Sequence, residues 1–191
     1  MALPTTEIIE PEFQALLGPT SHIFQLIEQI QLAMKPVELR FGIGIGEMLT
    51  PINKVQSIGS DGPAFWRARQ AINHIHDKND YGASQIALVC DKPELQEMIN
   101  SLLTTGDFIK STWTKNQWAI LEILLGDKIY QESFEHQKIA AKLGINPSGF
   151  TKRLKASGLK QYLRSRKAAN DMILSMTKNK KEEGRKVDEK P

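Results

Sequence analysis

The alternation of apolar and polar positions changes character along the chain. In the first half, short apolar or alternating stretches predict strands, and these cover residues 13–17, 37–48 and 85–90. Apolar residues three or four positions apart predict helices, and these cover residues 21–34, 61–75 and 93–103. Gly106 is predicted to end the third helix. The order β-α-β-α-β-α predicts helices packed on a sheet.

The second half of the chain is predicted to be entirely helical. Its helices cover residues 115–125, a helix-turn-helix pair at 135–158, and residues 159–176. The remaining residues, 177–191, are charged and contain a single large apolar side chain, so they are predicted to form a disordered tail. The fold class is therefore α+β: an α/β sandwich of residues 1–110 precedes an all-α domain of residues 111–176.

The segment from His136 to Gly158 has the residues of a helix, a short turn and a second helix. Gly144 follows the first helix, where a left-handed backbone conformation stops it. Asn146 is suited to cap the second helix, and Pro147 fits its first turn, where no N–H is required. The apolar residues at the spacing of two inner faces are Ile139, Leu143, Ile145, Phe150 and Leu154. This pattern is typical of a DNA-binding motif; the alternative is an ordinary helical hairpin with a basic solvent face.

The charge distribution favours the DNA-binding interpretation. Residues 1–110 carry a net charge of −5 and residues 111–176 a net charge of +6, and residues 146–167 include seven basic side chains and no acidic one. Such a local positive field attracts the phosphates of double-stranded DNA. Base-edge or nearby backbone contacts are predicted for Ser148, Thr151, Lys152, Arg153 and Lys155. Phosphate contacts are predicted for Arg164, Arg166 and Lys167.

Composition limits the other classes of protein. Cys90 is the only cysteine, which excludes an internal disulfide, and its apolar surroundings predict a buried, inert thiol. No apolar run approaches the ~18–20 residues of a membrane span. The first ten residues contain two acidic residues and no Lys or Arg, so neither a signal peptide nor a basic transit peptide is predicted there. A cytoplasmic location without a membrane partner is predicted.

Two other segments could bind an anion, a nucleotide or another small molecule. The glycines of residues 42–46 fit a strand against which a helix packs closely; the alternative is that Gly44 and Gly46 let a ligand approach. Asp61, Arg67 and Arg69 could form an anion site at a helix N-terminus; the alternative is a capped helix with a solvated basic face.

Four metal-ligand residue types lie close together in the sequence, but they do not predict a metal site. His74 and His76 are two positions apart, so they diverge on a helix. Asp77 and Asp80 are expected to lie at its solvated end.

Three blocks of sequence resemble the SatD family of bacterial proteins. They read VELRFGIGIGEM followed by IGSDGPAFWRARQAI, then TWTKNQWAIL, then QKIAAKLGINPSGFTKRLKASGLKQYL. The resemblance extends over about residues 12–173. It implies an α/β domain followed by a C-terminal helix-turn-helix, and hence a DNA-binding transcriptional regulator whose α/β domain senses a ligand or dimerises.

The α/β part is more distantly similar to the palm domain of nucleotide cyclases, in which two carboxylates hold divalent metals. The family pattern has a first strand ending in Gly-Asp and a later Gly-Asp-Glu-Phe-Gln-Gly-Leu. Here Pro11 stands at the second aspartate, and only Glu12 matches beside it. The comparison implies an N-terminally truncated or diverged, incomplete palm with no catalytic residues, no metal ligands and no cofactor; Mg²⁺ would bind only if that site were functional. A missing strand implies a homodimer partner. The alternative function is a nucleotide-binding or cyclase-like protein.

Overall fold

The computed structural model describes residues 13–18, 20, 22–50, 61–78 and 84–188, without the side chains of residues 77, 78 and 177–188. Its elements in chain order are α1 (Ile23–Ala33), β1 (Phe41–Gly44), α2 (Pro63–Lys78), β2 (Ile86–Val89), α3 (Pro93–Ser111), α4 (Lys115–Gly126), α5 (His136–Lys142), α6 (Pro147–Ser157) and α7 (Leu159–Asp188). The predicted α+β class is confirmed. The predicted strand at 13–17 is absent, since these residues have no regular structure.

The two described strands form a short parallel sheet, in which Phe41 pairs with Ile86 and Gly44 with Val89. The predicted strand over 37–48 is therefore too long. The ladder is short because β2 offers β1 only four residues, and just beyond it the Ile45 N–H still donates to the Val89 carbonyl oxygen at 3.1 Å. A strand persists only where its backbone has a partner.

Glycines on β1 let helix α2 lie directly on the sheet. A side-chain carbon at Gly42 would be 2.2 Å from the Ala68 carbonyl oxygen, and one at Gly44 would be 1.9 Å from the Ala64 carbonyl oxygen. Gly46 is similarly close to the Ala64 nitrogen, at 2.6 Å. The space beside these glycines is filled by the backbone of α2, so the helix-packing interpretation explains them and the ligand-approach alternative for Gly44 and Gly46 is wrong on this face.

Replacement of Gly44 tests this packing. We expect Gly44→Ala to lower the free energy of unfolding by about 1–3 kcal/mol, because the new methyl group meets the backbone of α2 and the helix must move outward. The measurement is chemical denaturation followed by circular dichroism. Gly126→Ala is the matched control, since no atom lies within 4 Å of its added carbon. Equal losses in both variants would contradict the close β1–α2 contact.

The outer edge of β2 is covered by side chains of α3. The Leu88 N–H donates to Asn100 Oδ1 at 2.8 Å, and Asn100 Nδ2 donates to the Leu88 carbonyl oxygen at 2.9 Å. The Cys90 N–H donates to Gln96 Oε1 at 3.0 Å, and the Ile86 N–H to Asp107 Oδ2 at 3.3 Å. These side chains take the place of a neighbouring strand, so this edge is satisfied within the chain.

Helix α3 continues through Gly106, so the predicted stop at that glycine is wrong. Gly106 is buried, and an added side-chain carbon would lie 3.0 Å from Ser165 Oγ and 3.2 Å from Arg166 Cζ. The missing side chain lets α7 approach α3. A glycine selected for close helix packing and one selected to end a helix look the same in a sequence.

Helix α7 joins the two halves of the chain. The core formed by α1, the sheet and α3 also includes Ala169, Ile173 and Met176 of α7. The predicted division at residue 110 therefore marks a change from mixed to helical elements and not a gap in packing. Helix α7 is assigned as far as Asp188, beyond the predicted end at residue 176, and the side chains of the predicted tail at 177–191 lie outside the described part.

Candidate nucleic-acid interface

The turn between α5 and α6 is fixed by local signals. Gly144 adopts a left-handed conformation with φ of 65°, and the Ile145 N–H donates to the Ala140 carbonyl oxygen at 3.1 Å. Asn146 Oδ1 accepts from the Gly149 N–H at 2.7 Å, and Pro147 occupies the first turn of α6. The predicted roles of Gly144, Asn146 and Pro147 are confirmed.

The inner faces of the α5–α6 pair contribute to the helical core. Ile139, Phe150 and Leu154 are buried, and Leu143 and Ile145 pack against the same core at its margin, as predicted. The end of α6 is held from outside the pair, because Trp113 Nε1 donates to the Ser157 carbonyl oxygen at 2.5 Å. This packing fixes which face of α6 points outward.

The exposed polar side chains of α6 form a stripe, which consists of Ser148, Lys152 and Lys155. Arg153 and Thr151 are half-buried beside it. Thr151 Oγ1 donates to the Pro147 carbonyl oxygen at 2.9 Å, so its hydrogen is used within the helix. The outward face of α6 is therefore cationic, although its hydroxyl groups are not equally available.

Ion pairing separates these cations from Arg164 and Lys167 of α7. No carboxylate partner is found for Lys152, Arg153 or Lys155 within the described part of the chain. Arg164, in contrast, donates to Glu132 at 2.6 Å, and Lys167 pairs with Asp171 on the following turn. The hydrogen bond from Arg164 and its charge keep the pKa of Glu132 below its usual range. Arg164 and Lys167 remain exposed, so a phosphate could replace these carboxylates.

Arg166 does not lie on the surface, and its predicted phosphate contact is wrong. Its side chain is fully buried and pairs with Asp107, while its NH1 group donates to the Leu103 carbonyl oxygen at 3.1 Å. The guanidinium also lies 4.9 Å from the Tyr162 ring centre. The cause is the crossing of α3 and α7 at Gly106, which encloses this side chain.

The Arg166 pair belongs to a buried polar cluster that the sequence did not reveal. We call it the junction network; its members are Glu28, Asp107, Lys110, Tyr162 and Arg166. Lys110 Nζ donates to both Glu28 carboxylate oxygens, at 2.8 and 2.9 Å, and the Tyr162 hydroxyl donates to the same carboxylate. Burial, reinforced by the charge of Glu28, raises the pKa of the Tyr162 hydroxyl. The signal available in the sequence was the charged Glu28 one helical turn from the apolar Phe24 and Leu32 in a predicted helix.

The second predicted site, at the N-terminus of α2, is occupied by contacts within the protein. Asp61 Oδ1 accepts from the Gly62 N–H at 2.8 Å and from Trp66 Nε1 at 2.6 Å. Arg67 donates to the Ile45 carbonyl oxygen at 2.5 Å, and Arg69 is exposed two residues further along. Asp61 and Arg67 are thus engaged in contacts within the protein, which explain them without a bound anion. Arg67 is half-buried, so it does not belong to the solvated basic face that the capped-helix alternative predicted.

The histidines of α2 are both exposed. The side chain of Asp77 and the whole of Asp80 lie outside the described part of the chain. Elsewhere in the described part, no three His, Cys, Asp or Glu side chains are close enough to share a metal ion.

His136 lies at the start of α5 between two aromatic rings. Its ring centre is 5.3 Å from that of Phe134 and 5.4 Å from that of Phe150. Burial, with a smaller effect of the Lys160 charge, lowers the pKa of His136 below its usual 6.5. The unfolded chain therefore takes up the proton first as the pH falls.

We expect His136 to make the stability of the chain decrease on acidification. Because its folded pKa is lowered, its contribution is present above the unfolded pKa of about 6.5 and is lost as the pH falls through the folded pKa. Urea midpoints at about pH 7.5 and about pH 5 should therefore differ more in the wild type than in His136→Phe, which keeps the ring contacts. The same pH difference in both proteins would show that His136 is not responsible.

The fold and this surface define an α+β protein whose C-terminal helices expose a cationic face. The chain belongs to the SatD family, whose sequence profile matches residues 3–173. No curated protein and no solved structure matches it. Among the described residues, none of the helices combines the length and the apolar character needed to cross a membrane.

Proposed function

We propose that this protein binds double-stranded DNA, with the α5–α6 pair acting as a helix-turn-helix and α6 as its recognition helix. The observation that carries the proposal is the exposed stripe of Ser148, Lys152 and Lys155, whose lysines have no carboxylate partner among the described residues. Unpaired cations on one face of a rigidly held helix attract phosphates and can donate to base edges.

The dimensions of α6 fit a major groove. Ser148 and Lys155 are seven residues apart, which corresponds to about 10 Å along the helix axis. That length spans roughly three base pairs at about 3.4 Å each. Lys152 and Lys155 are assigned to base edges, with Arg153 beside them, while Arg164 and Lys167 are assigned to flanking phosphates. Arg166 has no part in this interface.

The α/β part is assigned the role of a ligand-sensing or dimerising module of a cytoplasmic transcriptional regulator. Support comes from its connection to α6. Helix α7 begins at Leu159, directly after the left-handed Gly158 that ends α6, and it carries Tyr162 and Arg166 into the junction network. A ligand or a second copy that shifts α1 or α3 would thus act on the helix adjoining α6. The proposal assigns the protein no catalytic activity.

Duplex binding measured by fluorescence anisotropy tests the proposal. Genomic fragments and random DNA are compared at low and physiological salt, and we expect salt-sensitive binding that includes a preferred fragment. Lys152→Ala and Lys155→Ala should each weaken the preferred fragment by roughly 5- to 100-fold, and random DNA less. Lys92→Ala is the matched control, because it removes an exposed lysine from the start of α3.

Two results of the anisotropy experiment would contradict DNA recognition by α6. No binding at low salt, or equal losses in Lys152→Ala and Lys92→Ala, would reduce the α5–α6 pair to a structural hairpin.

A further inference from the structure

We infer that α6 recognises guanine, and specifically guanines on neighbouring base pairs in the major groove. The inference rests on the proposed function and names the DNA that the same surface selects. It follows from the hydrogen-bonding chemistry of the exposed face of α6, which can donate but is nearly without acceptors.

The side chains that α6 presents are donors. Lysine offers three N–H groups and arginine five, and neither can accept. Lys152 and Lys155 are exposed and Arg153 is half-buried next to them. The sequence of α6, PSGFTKRLKAS, contains no Asp, Glu, Asn or Gln. Only hydroxyl oxygens remain as side-chain acceptors on this helix.

The nearest carboxamide is already engaged. Asn146 precedes α6, and its Oδ1 accepts from the Gly149 N–H at 2.7 Å to cap the helix. Thr151 is turned back, since its hydroxyl donates to the Pro147 carbonyl oxygen. Neither side chain can present the paired donor and acceptor of a free Asn or Gln to a base without giving up a hydrogen bond within the helix.

The four bases differ in the hydrogen-bond donors and acceptors that they present in the major groove. Adenine presents an acceptor beside a donor, cytosine presents a donor, and thymine presents one acceptor beside a methyl group. Guanine alone presents two adjacent acceptors, N7 and O6, which a lysine or arginine can contact together. A face made of donors therefore matches guanine best.

The spacing of the two lysines sets the spacing of the guanines. Lys152 and Lys155 are three residues apart, which is about 4.5 Å along the helix. Base pairs follow one another at about 3.4 Å, so the two ammonium groups reach neighbouring pairs. Neither lysine has to leave a carboxylate within the described part of the chain before it reaches a base.

The test uses the N7 atom directly. Duplexes preferred by the full-length protein are selected from a random pool, and each guanine is then replaced by 7-deazaguanine, which keeps base pairing but lacks N7. We expect the selected duplexes to contain adjacent guanines and to lose roughly 5- to 100-fold in affinity on replacement. The loss should be much smaller in Lys152→Ala/Lys155→Ala. Gln137→Ala, which removes an exposed carboxamide from α5, should keep the full guanine dependence.

A change of specificity provides the second arm. Lys152→Gln places a donor and an acceptor on the same stripe, so selection with this variant should replace one guanine by adenine. Selected duplexes without guanine, or with no sensitivity to 7-deazaguanine, would overturn the inference while leaving DNA binding intact. No duplex binding by the wild type, even at low salt, would overturn the proposed function and the inference with it.

Discussion

Arg166→Ala is expected to lower the free energy of unfolding by about 3–5 kcal/mol, because it leaves the Asp107 carboxylate buried without its cation. The two side chains are 0% and 2% exposed. Asp107 keeps its hydrogen bonds from the Gln85 and Ile86 N–H groups, which lie at the edge of β2. The substitution therefore loosens the contact between α3 and α7 but leaves these two hydrogen bonds at the sheet edge in place. Guanidinium denaturation followed by circular dichroism measures the loss.

The adjacent residue provides the control. Lys167 lies one position further along α7, is exposed, and pairs with Asp171 at the surface. Lys167→Ala should change the stability by no more than about 0.5 kcal/mol. If Arg166→Ala were as stable as Lys167→Ala and lost DNA binding, the Arg166 guanidinium would be a surface group. The buried position described for its side chain would then be contradicted.

Lys110→Met should also cost about 3–5 kcal/mol, because it leaves Glu28 charged and buried at the junction between α1 and α3. Lys110 Nζ is held by three oxygen atoms, two from Glu28 and one from Gln31 at 2.6 Å. Replacement of both charged residues should cost less stability, because two apolar side chains of similar size do not need an ionic partner when they are buried. We expect Glu28→Leu/Lys110→Met to recover more than half of the loss.

A surface ion pair provides the control for the Glu28 and Lys110 variants. Lys35 and Glu122 are 2.7 Å apart, and their side chains are 48% and 40% exposed. Lys35→Met should cost about 1 kcal/mol or less. An equally small effect of Lys110→Met would mean that water reaches the Glu28 carboxylate. A double variant no more stable than Lys110→Met would mean that Tyr162, which also donates to Glu28, depends on that carboxylate for its position.

The two buried pairs explain why the chain cannot be treated as two independent domains. Glu28 and Lys110 join α1 to α3, and Arg166 and Asp107 join α7 to α3. Tyr162 connects the two pairs, because its hydroxyl donates to Glu28 and its ring centre lies 4.9 Å from the Arg166 guanidinium. We expect a single unfolding transition for both halves, with the same midpoint whether it is followed by far-ultraviolet circular dichroism or by tryptophan fluorescence. Two separate unfolding midpoints would instead show that the two predicted domains unfold independently.

The sequence alone determined those parts of the molecule that depend on neighbouring residues. The α5–α6 turn was predictable because Gly144, Asn146 and Pro147 act within a few positions of their own backbone, through φ, a cap and a missing N–H. The inner face of the pair was predictable for the same reason, since helical spacing assigns Phe150 and Leu154 to one side. The α+β class followed from the change in apolar spacing along the chain.

Only the tertiary structure decided which cations are exposed and which glycines are packed. Arg164 and Arg166 are two residues apart in one basic segment, yet the first pairs with Glu132 at the surface and the second is enclosed against Asp107. Nothing local distinguishes them, because the deciding residues lie 32 and 59 positions away. Gly106 likewise became a site of helix packing because α7 crosses there. Local backbone geometry depends on neighbouring residues, whereas the burial of a side chain depends on which distant element packs over it.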